Sequence, residues 1–357
     1  MHNNKEENVK LINRLSFRVK IAALLIVVSL VLAIGAAVTT NDKFTDITSQ
    51  SDIEHEAHTK ARALPVIRVG YLPIYVDLPL FVAVEQGFFE DLGISVKLER
   101  FQSSPDMATA LLSDDIDAVA SIASATALVT EARDPGRFKI FMIDEATPEA
   151  PLSSLVAPEG SDVKSLDDLK GKVLGSFPGP TATILTPAVL EKLGYGQSDV
   201  TVISFPPSSH LEIIATKQVD AMVTYEPTVT QAKLKNSARV VSFGFVESHL
   251  LNPWPAGSWL ISSKMLSDPL DKEAAEKFTS AIYRAVDFIE SKPNEAKMHL
   301  SEYTQIPKDV AISAPNIGFT RSEFANQAAI QSYANLLLET GELQRNIDTT
   351  SLLFNVE

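Results

Sequence analysis

The first hydrophobic feature along the chain is an 18-residue segment without a charge, Ile21–Val38. A helix of about that length just spans the hydrocarbon core of a bilayer. Residues 1–20 carry five basic against two acidic side chains, a net charge of +3. Because a basic flank stays in the cytoplasm, we expect the rest of the chain to be exported. Two interpretations stay open, an uncleaved transmembrane anchor and a signal peptide with small residues at Gly35–Ala37 that suit cleavage.

The next segment, residues 39–65, is polar and aperiodic, which is typical of a linker. His55 and His58 lie there beside Glu54 and Glu56. Since no rigid element would fix the geometry of metal ligands at this patch, we interpret it as a solvated stretch of linker.

From Val66 onward, short apolar runs alternate with segments of helical spacing. Alternating or β-branched runs predict strands, and apolar residues three or four apart predict helices. The first part of the pattern predicts the strands Val66–Tyr71, Ile94–Phe101, Asp117–Ala120 and Phe138–Ile143, and the helices Leu80–Asp91, Pro105–Leu112 and Ala125–Ala132, the last with Ser124 as its N-cap.

The second part of the pattern continues this alternation and then becomes mainly helical. Its order of strands and helices predicts an α/β protein with mostly parallel sheets that helices cover on both faces. The strands are Ser153–Ala157, Lys172–Phe177, Val200–Phe205, Ala221–Tyr225, Arg239–Phe243 and Trp259–Ser262, and the helices are Leu166–Lys170 (capped by Ser165), Thr183–Leu193, Ser209–Thr216, Pro227–Leu234, Lys272–Glu290 and Arg321–Glu339.

Two segments share one plan, TALLSDDIDAVASIAS (109–124) and EIIATKQVDAMVTYEP (212–227). Each contains a helix end, a polar turn, an Asp-Ala pair that opens an apolar strand, and a polar loop that opens a helix. The repetition favours two similar lobes, although such units are also common in unrelated α/β proteins. Because ligands bind at the carboxyl ends of strands in open α/β sheets, two facing lobes would place Ser121–Ser124 and Tyr225–Pro227 on opposite walls of one cleft.

The composition excludes several classes of protein. The chain has 357 residues, 45% hydrophobic and 21% charged, enough for one large or two medium folded domains. Its net charge is −14, or −17 without the +3 of residues 1–20, which argues against general binding to nucleic acid. The chain has no cysteine, which excludes disulfides, thiolate metal sites, cysteine nucleophiles and a lipid-modified N-terminal cysteine.

Catalytic motifs are absent from the sequence. It contains no HExxH, GxSxG, GxGxxG or P-loop motif. The six histidines are scattered, and we expect His210 to be an exposed residue in the first turn of its helix. The sequence therefore predicts a protein that is not an enzyme and that carries no cofactor or metal.

A Gly/Pro turn before a predicted helix is a candidate anion site. In FPGPTAT (177–183), the free amides of the helix start and the hydroxyls of Thr181 and Thr183 suit an anion; the alternative is a helix start without a ligand. Pro187 leaves two starts open, because it lies either within the first turns or directly after Thr186 as the N-cap.

Aromatic and acidic residues supply further candidates. Tyr75, in the loop LPIYVDLP after the first strand, either contacts a small ligand or packs at the rim. Trp254 and Trp259 lie in NPWPAGSW, where the chain returns to the first lobe, and either line a pocket or pack the boundary between the lobes. Glu226 either binds an amine or hydroxyl of a ligand or caps the following helix, and we prefer the capping role.

Four segments together resemble the extracytoplasmic substrate-binding proteins of ABC importers, in the nitrate/sulfonate/taurine-binding (thiamine-precursor-binding-like) family. The resemblance covers about Val66 to Gln344. The segments are IRVGYLPIYVDLPLFVAVEQGFFEDLGISVKLERF (67–101), LLSDDIDAVASIASATAL (111–128), KSLDDLKGKVLGSFPGPTA (164–182) and KQVDAMVTYEPTVTQA (217–232).

The resemblance implies a type II periplasmic-binding-protein fold, with two α/β lobes, two crossovers and a ligand cleft, preceded here by one N-terminal transmembrane or signal helix. Lobe 1 would comprise residues 66–150 and 255–345, lobe 2 residues 151–254, and a C-terminal tail residues 346–357.

Carried over position by position, the resemblance also implies ligand contacts from five segments. FPGPTAT departs from the Gly-Ser-Thr-like sequence of many relatives, which weakens the transfer of any specific anion contact. The implied contacts are Leu72, Pro73 and Tyr75; Gln102 and Ser103; Ser121, Ala123 and Ser124; Gly179, Pro180, Thr181, Ala182 and Thr183; and Tyr225 and Glu226.

The function implied is that of a monomeric, extracytoplasmic solute-binding component of an ABC importer. It would deliver a small polar or anionic solute to a permease and its ATPase. The missing lipobox cysteine favours residues 21–38 as the membrane tether. An anchored ligand-sensing ectodomain and a binder of a pyrimidine or thiamine precursor are the alternatives. Relatives that make a thiamine pyrimidine use a sacrificed histidine and a cysteine-rich iron motif, and the absence of cysteine argues against that chemistry.

Overall fold

The computed structural model describes residues 64–355. The predictions for the basic leader 1–20, the apolar segment 21–38 and nearly all of the linker 39–65 lie outside these residues. Within the described range, none of the helices combines the length and the apolar character needed to cross a bilayer.

The described chain contains eleven strands. Their bounds are β1 Val66–Tyr71, β2 Ser95–Arg100, β3 Ala118–Ala123, β4 Phe138–Ala146, β5 Ser153–Pro158, β6 Val173–Ser176, β7 Thr201–Ser204, β8 Ala221–Tyr225, β9 Ala238–Phe243, β10 Trp254–Ser262 and β11 Phe319–Arg321.

These strands form two mixed sheets, ordered β11-β4-β10-β3-β1-β2 and β7-β6-β8-β5-β9. In the first sheet, β1 pairs in parallel with β2 and β3, whereas β10 runs antiparallel to β3 and β4. In the second sheet, β6 pairs in parallel with β7 and β8, and β5 runs antiparallel to β8 and β9. The prediction of mostly parallel sheets was therefore wrong. The strands β5 and β10 enter a sheet directly from the other one, without the crossover helix that makes successive strands parallel.

Helices cover these sheets. Their bounds are α1 Leu78–Glu85, α2 Phe88–Asp91, α3 Ser104–Leu112, α4 Ser124–Arg133, α5 Thr186–Lys192, α6 His210–Ala215, α7 Thr228–Leu234, α8 Pro269–Ser291, α9 Pro293–Met298, α10 Leu300–Tyr303, α11 Lys308–Ser313 and α12 Gln327–Glu339.

Three element predictions were wrong, one because the helix is interrupted and two at their starts. The predicted helix Leu80–Asp91 is two helices, because Gly87 between them adopts φ +70°. The helix predicted from Arg321 begins only at Gln327, where the Asn326 side chain accepts from Ala329 N at 3.0 Å, and residues before it pair with β4 as β11. The strand predicted from Trp259 begins five residues earlier, at Trp254. The prediction started too late because the prolines on either side of Trp254 lower the strand propensity of that part.

The chain passes between the two sheets twice, after β4 and after β9. Glu247, in the second crossover, is fully buried and accepts hydrogen bonds from Leu152 N, where the first crossover ends, and from Ser153 N, where β5 begins, both at 2.8 Å. The hydroxyl of Ser153 also donates to Glu247 and accepts from Val246 N at 2.9 Å. One buried carboxylate therefore holds the two crossovers together.

The end of the described chain packs against the first sheet. Leu353 forms a bridge to Ile140 of β4, and Phe354 N donates to the Ile140 carbonyl at 2.8 Å. The last described residues are therefore held along the edge of β4.

Candidate ligand-binding site

The carboxyl ends of the parallel strands β1, β2 and β3 lie along one edge of the first sheet. Loops at this edge are the usual place for ligands in open α/β sheets. The structure brings three of the five predicted segments together there, namely Leu72–Tyr75, Gln102–Ser103 and Ser121–Ser124.

The other two predicted segments lie at the corresponding edge of the second sheet. Gly179–Thr183 follows β6, and Tyr225–Glu226 ends and follows β8, which is parallel to β6. The two edges meet where Trp254 of β10 contacts Tyr225, with ring centroids 5.9 Å apart. Burial raises the pKa of Tyr75, and the negative charge of Glu226 raises it further.

Tyr75 packs into the first edge. Its side chain is buried and its hydroxyl donates to the Pro315 carbonyl at 2.7 Å. Of the two roles that the sequence left open, the structure supports rim packing, because the hydroxyl proton already has a partner.

The serines at this edge have different local roles. Ser103 caps α3, accepting from Asp106 N at 3.3 Å. Ser124 was predicted to cap α4, and this prediction was wrong: it is the first helical residue, and its hydroxyl lies 2.7 Å from that of Ser258 on β10. Ser104 accepts from Ala123 N at 3.1 Å and so ties the loop after β2 to the end of β3.

Asp144 lies at the centre of a buried polar cluster beneath this edge. Its carboxylate accepts hydrogen bonds from the Ser121 hydroxyl and, at 2.8 Å, from the Trp259 ring nitrogen. Burial raises the pKa of Asp144 to about 7, although both hydrogen bonds act to lower it. Trp259 is therefore a core residue that orients Asp144, which is neither of the roles expected for it.

Asp77 supports the loop after β1. It is fully buried and accepts from Leu72 N at 2.8 Å. Burial raises its pKa well above the usual value, and the nearby Asp144 adds to this. Its other carboxylate oxygen, Oδ1, has no hydrogen-bond partner among residues 64–355. Neither aspartate was predicted as a site residue, since Asp77 has apolar neighbours on both sides and Asp144 directly follows the apolar strand run FKIFMI.

An aromatic cluster lines the edge of the second sheet. The rings of Phe177 and Tyr225 stack with centroids 4.0 Å apart, and His210 packs edge-on against Phe177 at 4.5 Å. The Thr181 hydroxyl lies 3.4 Å from the Tyr225 hydroxyl. Trp254 closes the cluster from the first sheet; its ring nitrogen is buried without a partner in the described range.

The prediction that His210 is exposed was wrong. The ring is fully buried, with Nδ1 3.0 Å from the Thr224 hydroxyl and Nε2 2.9 Å from the Phe205 carbonyl. Burial lowers the pKa of this imidazole, which favours its neutral form. A 3-10 turn over Pro207–Ser209 precedes the helix and turns its first residue inward toward β8.

The FPGPTAT segment forms a wide helical turn over Thr181–Leu185 that continues into α5. Pro187 lies in the first turn of α5, and Thr186 is not a cap but bonds to Ser176 at 3.0 Å. The amide and the hydroxyl of Thr183 both donate to the Gly179 carbonyl, at 3.1 and 3.2 Å. Thr183 is therefore engaged locally, whereas the Thr181 hydroxyl points to the aromatic cluster.

Glu226 caps α7, as we preferred from the sequence. Its carboxylate accepts from Thr230 N at 3.1 Å. Burial raises the pKa of Glu226, while Lys233 and Lys297 lower it. Lys297 is itself buried and donates to the Ala314 carbonyl.

Asp144→Asn is expected to flatten the pH dependence of the unfolding free energy between about pH 4 and pH 7. Burial raises the folded-state pKa of Asp144 to about 7, against about 3.9 in the unfolded chain. The stability from this group is therefore fully present below about pH 4 and is lost as the pH rises through about 7. Asparagine can still accept from Trp259 and donate to Ser121. Urea unfolding should show that, from pH 4 to pH 7, the unfolding free energy of the wild type falls by of order 2–4 kcal/mol relative to that of the variant. If the two unfolding free energies change with pH in parallel, the raised pKa of Asp144 is contradicted.

Two mixed α/β sheets, joined by two crossovers, define the two-sheet fold of the periplasmic binding proteins. The model of the NMT1/THI5-like family matches residues 76–296. The chain therefore belongs to the NMT1/THI5-like family.

Known proteins agree with this membership. A Bacillus subtilis (strain 168) protein named for binding aliphatic sulfonates is 23% identical over 302 residues, 82% of this chain and 87% of its own length. The structure resembles the periplasmic aliphatic sulphonate binding protein SsuA from Escherichia coli with a TM-score of 0.66 at 19% identity, covering 81% of this chain and 97% of that one. For the periplasmic nitrate-binding protein NrtA from Synechocystis PCC 6803, the TM-score is 0.64 at 15% identity, and the match covers 81% of this chain and 84% of that one. These similarities confirm the α/β periplasmic-binding-protein fold.

Proposed function

We propose that this chain is the extracytoplasmic solute-binding component of an ABC importer and that it captures a small polar or anionic solute between two lobes. The observation that carries this proposal is the meeting of two strand-end edges, one lined by hydroxyls and the other by an aromatic cluster, in a chain of this family. Relatives named for sulfonates and nitrate support an oxyanion as the solute.

The binding residues we propose are those at the two edges. Ser121, Ala123 and Ser124 face the site from the first sheet together with Leu72, Pro73, Gln102 and Ser103, and Tyr75 supports them from the rim. Gly179–Thr183 and Tyr225–Glu226 face it from the second sheet.

The lobes of this proposal are residues 66–150 with 255–345 and residues 151–254. A solute that contacts both edges favours a closed arrangement over an open one, because only the closed form makes both sets of contacts. The crossovers joined by Glu247 are the natural hinge for such a motion.

The proposed partners are a permease and its ATPase, with the chain acting as a monomer and as neither an enzyme nor a nucleic-acid binder. Residues 21–38 would tether it to the membrane. N-terminal sequencing of the exported protein tests the tether, since a new terminus near residues 36–39 would identify a cleaved signal peptide instead.

A ligand panel measured by calorimetry and thermal unfolding tests the function. Nitrate, alkanesulfonates, taurine, bicarbonate and pyrimidine precursors are added to the purified protein, and we expect one class to raise the unfolding temperature. Thr181→Val should raise the dissociation constant of that ligand roughly fivefold, because the Thr181 hydroxyl lies beside Tyr225 at the proposed binding site. Thr216→Val is the matched control, since its hydroxyl bonds to the Glu212 carbonyl at the far end of α6. No response to any member of the panel would contradict the proposal.

A further inference from the structure

A cluster of one histidine and two glutamates lies outside the proposed solute site. We propose that Glu85, His299 and Glu302 bind a divalent transition-metal ion of the Zn²⁺ type. One ligand atom from each residue lies within 4.8 Å of those from the other two. Zn²⁺ binds such nitrogen and oxygen atoms at about 2.0–2.2 Å, so small rotations of the side chains would bring all three onto one ion.

The three residues stand on packed elements. Glu85 is the last residue of α1, His299 lies between α9 and α10, and Glu302 lies within α10. His299 and Glu302 are three positions apart, which places neighbours on one helical face. The ring of Tyr303, the next residue, stacks on the fully buried Phe81 of α1 with centroids 4.4 Å apart and an angle of 7°. This stacking fixes α10 against α1.

Neighbouring side chains orient two of the ligands. The Tyr303 hydroxyl donates to Glu85 Oε1 at 2.6 Å, which leaves the second carboxylate oxygen free for an ion. The Gln86 side-chain nitrogen lies 3.3 Å from His299 Nε2. A metal ion on Nδ1 requires this amide to be turned over, so that its oxygen accepts from Nε2–H and the lone pair of Nδ1 is left for the ion. Hydrogen bonds of this kind to the outer atoms of ligands are usual at metal sites, where they set ring and carboxylate orientation.

The electrostatics of the cluster favour a cation. Neither Glu85 nor Glu302 forms an ion pair with a lysine or arginine within residues 64–355. Glu85 also ends a helix, where the dipole already places negative potential. Two carboxylates therefore share a negative region that a divalent ion would neutralise.

The donor set selects the class of ion. One imidazole nitrogen and two carboxylates match Zn²⁺ and similar transition metals, with water as the fourth ligand on the exposed side. Ca²⁺ and Mg²⁺ prefer sites made of oxygen atoms alone. A bound ion would join α1 to α10 and stabilise the folded state without touching the proposed solute site.

Zn²⁺ titration of the full chain in detergent tests this site. Every sample carries His55→Asn and His58→Asn, so that the linker histidines do not contribute. We expect one saturable equivalent of Zn²⁺, which also raises the unfolding temperature. His299→Ala, Glu85→Gln and Glu302→Gln should each weaken binding by about tenfold or more. His249→Ala is the matched control, a half-buried histidine remote from the cluster, and it should bind as the parent does.

Three results would overturn the site: no saturable binding, equal binding by His299→Ala and His249→Ala, or Ca²⁺ binding that His299→Ala leaves intact. His299→Gln keeps a polar partner for Gln86 and provides a folded variant if the alanine variant is unstable. Because solute binding is measured separately with the ligand panel, failure of the metal site is distinguishable from failure of the proposed function.

Discussion

Gly257→Ala is expected to destabilise the protein by about 3 kcal/mol and to weaken solute binding. Gly257 lies in β10 directly above the Asp144 cluster. A β-carbon there would overlap Asp144 Oδ2 and lie 2.5 Å from the Ser121 hydroxyl. Both groups are short, buried and hydrogen-bonded to each other, so they cannot move aside without breaking the cluster that supports the end of β3. The loss should appear in urea unfolding and as a lower unfolding temperature, by roughly 5–10 °C.

Gly196→Ala is the matched control for this substitution. Gly196 is exposed, and the nearest atom to its added β-carbon would be Asp199 Oδ2 at an ordinary 3.5 Å. We expect no measurable loss of stability or of solute affinity. Equal stability of the two variants would show that the close approach at Gly257 is not maintained in solution.

Glu247→Ala should destabilise the protein by about 3–5 kcal/mol, because it leaves several buried donors without a partner. The donors are Leu152 N at the end of the first crossover, and Ser153 N and the Ser153 hydroxyl at the start of β5. Since this carboxylate is the link between the two crossovers, its loss should also loosen the hinge. Denaturant unfolding measures the first effect, and hydrogen exchange at Leu152 and Ser153 measures the second.

Glu247→Gln separates the hydrogen bonds from the charge. Burial raises the pKa of Glu247, so the site tolerates a neutral side chain. The glutamine oxygen can accept from both amides, and its amide group can donate to Ser153. We expect a loss of about 1 kcal/mol or less. A loss as large as that of the alanine variant would mean that the negative charge itself, and not the hydrogen bonds, joins the crossovers.

Local pattern predicted most of the elements because strands and helices in this chain have clear periodicity. Strand β8 was predicted with its observed bounds, and the capping box of Ser165 and Asp168 lies where the sequence placed a helix start. Errors occurred where one residue changes the backbone or where pairing overrides propensity. Gly87 interrupts a helical pattern, and the pairing of β11 with β4 takes Arg321 from a predicted helix.

The site was predictable in outline but not in its chemistry. The repeated Asp-Ala strands and the family resemblance located the segments at the strand ends. Asp77 and Asp144 were not predicted as site residues, because a buried carboxylate has no sequence signature apart from its apolar neighbours. His210 was misplaced for a related reason, since burial of one ring depends on Thr224 and Phe205, which only the folded chain brings to it.

The sequence by itself determined the α/β class, the order of strands and helices, the family, and the segments that border the proposed site, since these follow from periodicity and local motifs. Only the tertiary structure decided that the sheets are mixed, that Glu247 joins the crossovers, and that Glu85, His299 and Glu302 come together. These features depend on contacts between residues far apart in the chain. Burial, which sets the pKa of Asp144 and the role of His210, is likewise a property of the packed fold.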